Sequence, residues 1–328
     1  MVAVSVVVCT RDRPRRLARM LESAAALEVP PGTDWEVLIV DNGSTGETAA
    51  VVERFVSTLP IRLVAEPIAG ISRARNRGSA EARGRYICWT DDDVRLDRFW
   101  LAAYLRAFER HPEAELFGGT IRPELIAPTP GWCRRGRHRW PLSAMFVERA
   151  PQAERPILLD GDTPWGANFA VCAEAQRRLG YDVSLGMAPG RNRTGEESEF
   201  IYRLLKRGGV GWWVPDAEVS HIIEPERQSR AFLLRYFREA GETAAYLNDH
   251  FPGDNKDEAR GPAGFAGMGD AELRLRIAAH RLCGEALWAA GLRVSSLRFL
   301  AASGLYGGVL GHRRGKSVKR AEPTKEES

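Results

Sequence analysis

The residues from Val2 to Cys9 are almost all β-branched or small and apolar, and a run of that kind admits few folds. A strand with one wet face alternates apolar and polar side chains. A strand covered on both faces reads as a continuous apolar run, the mark of a central parallel strand. The run stops at Thr10-Arg11-Asp12-Arg13-Pro14, and the spacing from Pro14 to Ala26 predicts a helix with Leu17, Met20, Leu21 and Ala24 on one side. The unit then repeats. Trp35 to Val40 reads as a second buried strand, ending at Asp41-Asn42-Gly43-Ser44-Thr45, and Glu47 to Ser57 as a helix. Ile61 to Ala65 is a third strand, Ser72 to Ala82 a basic helix and Tyr86 to Thr90 a fourth strand. This alternation predicts a doubly wound α/β sheet with right-handed crossovers and helices on both faces.

In such a sheet ligands bind beyond the carboxyl ends of the strands. That brings Thr10, Arg11 and Asp12, then Asp41 to Thr45, then Asp91, Asp92 and Asp93 to one rim. Three adjacent carboxylates repel one another and persist most easily against positive charge. Oxygen-rich clusters suit a hard cation such as Mg²⁺ or Mn²⁺. Because Mg²⁺ is usually held by one or two carboxylates together with substrate phosphates, the expected ligand is phosphorylated. The bland alternative is a solvated turn capping the helix that follows. No Gly-x-Gly-x-x-Gly follows Cys9 and no Gly-Lys-Ser/Thr loop occurs, so neither a dinucleotide site nor a P-loop is supported.

The chain has 328 residues, 44% of them apolar, enough for one large domain or two ordinary ones. Its 47 basic and 43 acidic residues leave a formal charge of +4, and without a basic stripe and aromatic platforms this gives no case for nucleic acid. The five cysteines are scattered and show no Cys-x-x-Cys pair, as expected in a reducing compartment without structural zinc. The apolar run after Met1 leads straight into Thr10 and Arg11 with no leader pattern. The longest uncharged stretch, Phe299 to Gly311, falls short of the ~20 apolar residues of a membrane span. The expected location is cytoplasmic, with a peripheral place on the inner face of the cell membrane left open.

Four blocks then carry a resemblance. Val4-Ser5-Val6-Val7-Val8-Cys9-Thr10-Arg11-Asp12-Arg13, Val37-Leu38-Ile39-Val40-Asp41-Asn42-Gly43-Ser44, Ser72-Arg73-Ala74-Arg75-Asn76-Arg77-Gly78 and Asp91-Asp92-Asp93 resemble, in order and spacing, the family 2 glycosyltransferases of the GT-A fold. Further blocks extend the match to about residue 223. The resemblance implies a Rossmann-like, mostly parallel sheet. It also implies a nucleotide-diphospho-sugar donor, with UDP the leading nucleotide, whose base sits between the end of the first strand (Thr10, Arg11, Asp12) and Asp41. Arg73, Arg75, Asn76, Asp91 and Asp92 would contact the donor, with Arg75 reaching the diphosphate. Asp93 would ligate the divalent cation, and Asp91 would hold the ribose or a metal-bound water. Trp165-Gly166-Ala167-Asn168 resembles a family segment beside the donor sugar, so Asn168 is expected to bond sugar hydroxyls. Gly195-Glu196-Glu197 stands where the family usually has Gly-Glu-Asp, which makes Glu197 the expected base in an inverting transfer, with Glu196 as the alternative. His221 stands where the family often places a histidine that completes the metal site.

The expected division is a catalytic domain over residues 1–225, with a donor half to about 121 and an acceptor half over 122–225. A helical region over 226–312 and a disordered charged tail over 313–328 complete it. Arg122 to Asp162 reads as an irregular segment rich in Trp, Arg and Pro, either an acceptor-side lid or a surface insertion. In the helical region, Leu297, Phe299, Leu300, Leu305 and Tyr306 either pack inward or form an interfacial membrane helix flanked by arginines. The acceptor is expected to be a glycan, a lipid-linked sugar or a small molecule. Two rival functions are a sugar-nucleotide nucleotidyltransferase, which needs a Gly-rich phosphate loop after the first strand, and a catalytically silent carbohydrate- or membrane-associated relative.

Overall fold

The structure, a computed structural model, describes residues 3–250 and 265–321. Val2, most of the Gly/Pro-rich connector before Asp270 and the last seven residues of the expected tail lie outside the described residues. The chain forms two compact units. The first takes the residues up to Glu124 together with Phe146–Ile223; the second takes Leu125–Met145 and the residues from Glu224 onward.

In the first unit, β1 (Val4–Thr10), α1 (Pro14–Ala25), β2 (Trp35–Asp41), α2 (Thr48–Glu53), β3 (Ile61–Ala65), α3 (Ile71–Glu81) and β4 (Tyr86–Asp91) follow the expected alternation. They are succeeded by β5 (Val94–Leu96), α4 (Trp100–Arg110) and β6 (Leu116–Leu125). The segment assigned to the second unit contributes α5 (Gly131–Gly136) and α6 (Leu142–Met145). The chain then returns to the first unit through β7 (Arg155–Pro156), β8 (Asn168–Cys172), α7 (Ala173–Leu179), β9 (Met187–Ala188), β10 (Arg191–Asn192), α8 (Glu196–Lys206) and β11 (Gly211–Ile223).

The main sheet runs β3-β2-β1-β4-β8-β6-β11-β5, with β7 beside β11. The β3-β2-β1-β4 half is parallel. β8 is antiparallel to both β4 and β6, and β5 is antiparallel to β11, so the sheet is mixed where a mostly parallel one was expected. A short apolar run such as Asn168–Cys172 carries no direction of its own, and its direction follows from the end of the sheet at which the chain returns after β6.

Alternation along β1 covers both faces. Val6 and Val8 pack with Leu17, Met20 and Leu21 of α1 and with Trp100, Tyr104 and Phe108 of α4. Val7 faces the other way, with Leu38, Val40, Ala74 of α3 and Phe200 and Leu204 of α8. Each such buried side chain contributes about 1.5–3 kcal/mol from loss of water contact. The result is a rigid platform whose strand ends form the rim.

The second unit contains α9 (Arg230–His250), α10 (Asp270–Ala289) and α11 (Arg293–Ala321). α11 crosses α9 where Gly241 meets the Leu305 carbonyl and Gly308 meets the Arg238 carbonyl, positions at which any Cβ would collide with backbone. Leu297, Leu300, Leu305 and Tyr306 are buried, which removes them from a membrane-facing role. α11 also runs through Ala321, so the expected disordered tail is helical over residues 313–321. Trp132 of α5 is buried edge-on against Trp288. Gln228 Nε2 donates to the Ile126 carbonyl and Tyr236 Oη to that of Ala144. Much of the irregular Arg122 to Asp162 segment is therefore part of a packed helical unit.

Candidate functional site

Register brings the strand ends together. Thr10 pairs with Asp41 across β1 and β2, and Cys9 with Asp91 across β1 and β4. The Thr10 hydroxyl donates to Asp92 Oδ2 at 2.7 Å, and Arg13, at the entry to α1, donates to Asp92 Oδ1 at 3.1 Å. Burial pushes the Asp92 carboxyl up to about 6 against the pull of Arg13. Asp92 therefore ties β4 to β1, and its oxygens are committed to the protein where donor contact was expected. The loops beyond β1 and β2 are laced to each other. Asp12 Oδ1 accepts from the Thr45 amide at 2.8 Å, Asp12 N donates to Ser44 Oγ at 3.0 Å, and Asp41 Oδ1 accepts from the Ser44 amide at 3.0 Å. Arg11 lies on the surface 3.6 Å from Asp12.

Asp93 faces a different set of partners. Arg16, one turn after Arg13 on α1, donates to Asp93 Oδ2 at 3.4 Å, and His221 Nε2 of β11 lies 3.5 Å from Asp93 Oδ1. His221 is placed there by its pairing with Val94 of β5. Its Nδ1 lies 2.9 Å from the Phe146 carbonyl, an acceptor that calls for a proton on Nδ1 and leaves Nε2 facing Asp93.

Arg75 gathers the remaining acids. It is only 5% exposed on α3, and its guanidinium lies 3.3 Å from Glu196, 3.8 Å from Glu197 and 3.9 Å from Asp91. The rings of Trp89 and Tyr181 flank it. A Cβ at Gly166 would overlap Arg75 Nη2, so that glycine gives the guanidinium its room. Arg75 thus lies beneath the carboxylates, a different placement from the diphosphate reach expected of it. Burial first, then the neighbouring Glu197, pushes the Glu196 carboxyl up to about 8 despite Arg75. Burial and Asp93 likewise raise Asp91, with Arg75 pulling the other way. Glu197 is the more open of the α8 pair, and its Oε1 accepts from the Gly166 amide at 3.4 Å. Glu199, one turn on, is held by Arg203 and takes no part.

Two expected donor contacts point elsewhere. Asn168 is fully buried. Its Oδ1 accepts from Trp100 Nε1 and Tyr104 Oη, both at 2.8 Å, and its Nδ2 donates to the carbonyls of Thr120 and Ala217. All four hydrogen bonds available to an amide are made, so nothing remains for a sugar hydroxyl. Asn76 bonds both the amide and the carbonyl of Tyr181, which fixes α3 against the loop after α7. Arg73 is exposed on the outer face of α3.

Among the described residues no three His, Cys, Asp or Glu side chains are gathered to hold a metal ion by themselves. The residues present still fit one. Asp93 and His221 Nε2 face each other 3.5 Å apart, beside the carboxylates of Asp91, Glu196 and Glu197. Mg²⁺ and Mn²⁺ accept few protein oxygens when phosphate supplies the rest.

The family model described as Glycosyl transferase family 2 matches residues 5–152, the stretch that carries the ends of β1, β2 and β4 and the acid triplet. Residues 5–152 therefore carry a family 2 glycosyltransferase domain. Succinoglycan biosynthesis protein ExoM of Rhizobium meliloti is 27% identical over 250 residues, 74% of each chain. Among solved structures, the mannosyltransferase PcManGT from Pyrobaculum calidifontis in complex with GDP-Man and Mn²⁺ superposes with a TM-score of 0.62 at 20% identity, over 97% of this chain and 88% of that one. TarS of Staphylococcus aureus, residues 1–349, in complex with UDP-GlcNAc, gives 0.51 at 16% identity, over 95% and 92%. At these identities the structural likeness shows the GT-A fold.

Within the candidate site, Arg13, Arg16 and Gly166 are not singled out by the sequence. Arg13 and Arg16 stand among five arginines from Arg11 to Arg19, and their spacing of three at the start of a helix that begins at Pro14 is the available signal. Two cavities, about 120 Å³ beside Arg149 and Trp213 and about 220 Å³ beside Arg95 and Ser220, include none of the site residues. The rim is a candidate because ionisable groups from five elements converge there, not because a cavity marks it.

Proposed function

We propose that the chain transfers a sugar from a nucleotide-diphospho-sugar to an acceptor hydroxyl of a glycan or lipid-linked sugar, with inversion at the anomeric carbon and Glu197 as the base. One observation carries the reading: Arg75 joins Asp91 at the end of β4 to Glu197 in the first turn of α8. Carboxylates far apart in sequence thus flank one buried cation, with Asp93 and His221 beside them.

Glu197 is the better base of its pair. A proton acceptor must be charged and reachable. Glu197 is partly open and steadied by the Gly166 amide, whereas Glu196 is buried and its raised pKa favours the neutral form. Glu197 would take the proton as the acceptor oxygen attacks from the side away from the diphosphate, and Arg75 would hold that carboxylate in register. A divalent cation held by Asp93 and His221 would supply positive charge to the departing diphosphate. The Asp12–Thr45 and Asp41–Ser44 bonds would shape the floor beneath the nucleotide base. UDP-sugars are the first donors to test, since TarS is solved with UDP-GlcNAc, and GDP-sugars the second, since PcManGT is solved with GDP-Man. The name of ExoM supports a polysaccharide-building context.

The test is Glu197→Gln. Removal of a general base is expected to lower turnover about 10²–10⁴-fold while donor-induced thermal stabilisation persists. Turnover left intact in a folded variant overturns the assignment. Absence of metal-dependent nucleoside diphosphate release from the native protein, across UDP- and GDP-sugars, would indicate a catalytically silent relative.

A further inference from the structure

α10 presents an apolar stripe outward. Leu273, Ile277 and Gly284 face α11, and the opposite side carries Ala271, Leu275, Ala278, Leu282 and Ala286, spaced four, three, four and four residues apart along one helical face. Leu275 is 70% exposed and Leu282 73%. Large aliphatic side chains left this open on a helix whose other face is already packed indicate a surface that meets something apolar.

Charge identifies the occupant. The second unit holds 21 Lys and Arg against 14 Asp and Glu in its share of the sequence, whereas the first holds 26 against 29. The positive charge of the whole chain thus belongs to the helical unit. On α10 every acid is matched by an arginine: Asp270 by Arg313, Glu272 by Arg276 and Glu285 by Arg230. Arg274 and Arg281 run along one side of the apolar stripe and are exposed. A second copy docking α10 on α10 would bring these arginines against the same cationic face. An anionic lipid surface accepts both features, because aliphatic side chains enter the acyl boundary while arginines meet phosphate.

We infer that the second unit docks on anionic membranes through the exposed face of α10, with Leu275 and Leu282 inserted and Arg274 and Arg281 at the headgroups. This stands apart from the proposed sugar transfer, because it uses no residue of the rim and is measured without donor or metal. No helix among the described residues is long and apolar enough to cross a membrane, and the attachment is peripheral.

The experiment is flotation of the full chain with phosphatidylcholine vesicles, with and without phosphatidylglycerol. Binding is expected only with phosphatidylglycerol, and it is expected to fall as salt is raised. The pair Arg274→Gln and Arg281→Gln is expected to weaken it about fivefold per arginine. The pair Leu275→Ser and Leu282→Ser, at positions open in the fold, is expected to weaken it at least tenfold with an unchanged circular dichroism spectrum. Equal partitioning onto both vesicle types, or variants that float like the native chain, overturns the inference. So does light scattering that shows a dimer broken by the Leu variants in a protein that does not bind vesicles, since the face would then belong to a second copy.

Discussion

Arg75 Nη1 lies 3.3 Å from Glu196 Oε1, yet this buried nitrogen makes no hydrogen bond of good geometry. The guanidinium is held mainly by charge, between Glu196, Glu197 and Asp91, in a chamber walled by Trp89 and Tyr181. Removing one member of a buried ion cluster leaves the others uncompensated, which costs about 3–5 kcal/mol. Arg75→Met is therefore expected to lower the urea midpoint by that equivalent and to abolish sugar transfer. Arg75→Lys is not expected to restore transfer, because a single ammonium cannot span three carboxylates as the planar fork does. Gly166→Ala, which forces a methyl into Nη2, is expected to reproduce the loss of activity. Normal stability and turnover in Arg75→Met would show the cluster to be incidental.

The raised pKa of Glu196 has a pH consequence of definite sign. Its carboxyl moves from 4.5 up to about 8 because burial and Glu197 disfavour the charge. The folded protein then holds a proton that the unfolded chain releases. The stabilisation is complete below 4.5 and is lost as pH rises toward about 8. Melting temperature is expected to fall across that window. In Glu196→Gln, which keeps the shape without the titration, the fall is expected to be shallower. Superposable profiles would assign the pH dependence to other groups.

Asn168 illustrates how a motif misleads when its residue is a structural keystone. Asn168→Ala would strand Trp100 Nε1, Tyr104 Oη and two carbonyls in the core. At about 1–3 kcal/mol for each buried group left unmatched, a loss of at least about 3 kcal/mol is expected in denaturant unfolding. The donor KM of the folded fraction is expected to stay within about twofold of native, as for a residue that binds no substrate. A stable variant with a donor KM raised tenfold would return Asn168 to the sugar site.

The contrast between Asp92 and Asn168 on one side and Glu197 on the other shows what the sequence could and could not disclose. Strand identity was legible at β1, β2 and β4 because burial on both faces writes a continuous apolar run, and the rim followed from topology. Which oxygen of the acid triplet faces inward was not legible. Thr10 and Arg13 capture Asp92 by contacts across 82 and 79 residues of chain, and no local pattern records such a pairing. The direction of β8 and the assignment of Leu125–Met145 to the helical unit escaped for the same reason. Both depend on partners that only the folded chain brings near.

Asp93 and His221 make the last prediction, on metal dependence. The Phe146 carbonyl orients the imidazole, so in the proposed cation site His221 would contribute both a ligand atom and its aim. Loss of a metal ligand or of its orienting partner lowers metal affinity by about 10–100-fold. With a working UDP- or GDP-sugar, His221→Ala and Asp93→Asn are each expected to raise the Mn²⁺ concentration for half-maximal nucleoside diphosphate release by at least tenfold. Chelation by EDTA is expected to stop release in the native enzyme. Glu197→Gln is expected to leave the half-maximal concentration where it was while lowering the rate, because the proposed base acts on the acceptor and holds no cation. If His221→Ala and Asp93→Asn instead lower the rate at an unchanged Mn²⁺ requirement, these two residues hold the fold at the rim and the cation is bound elsewhere.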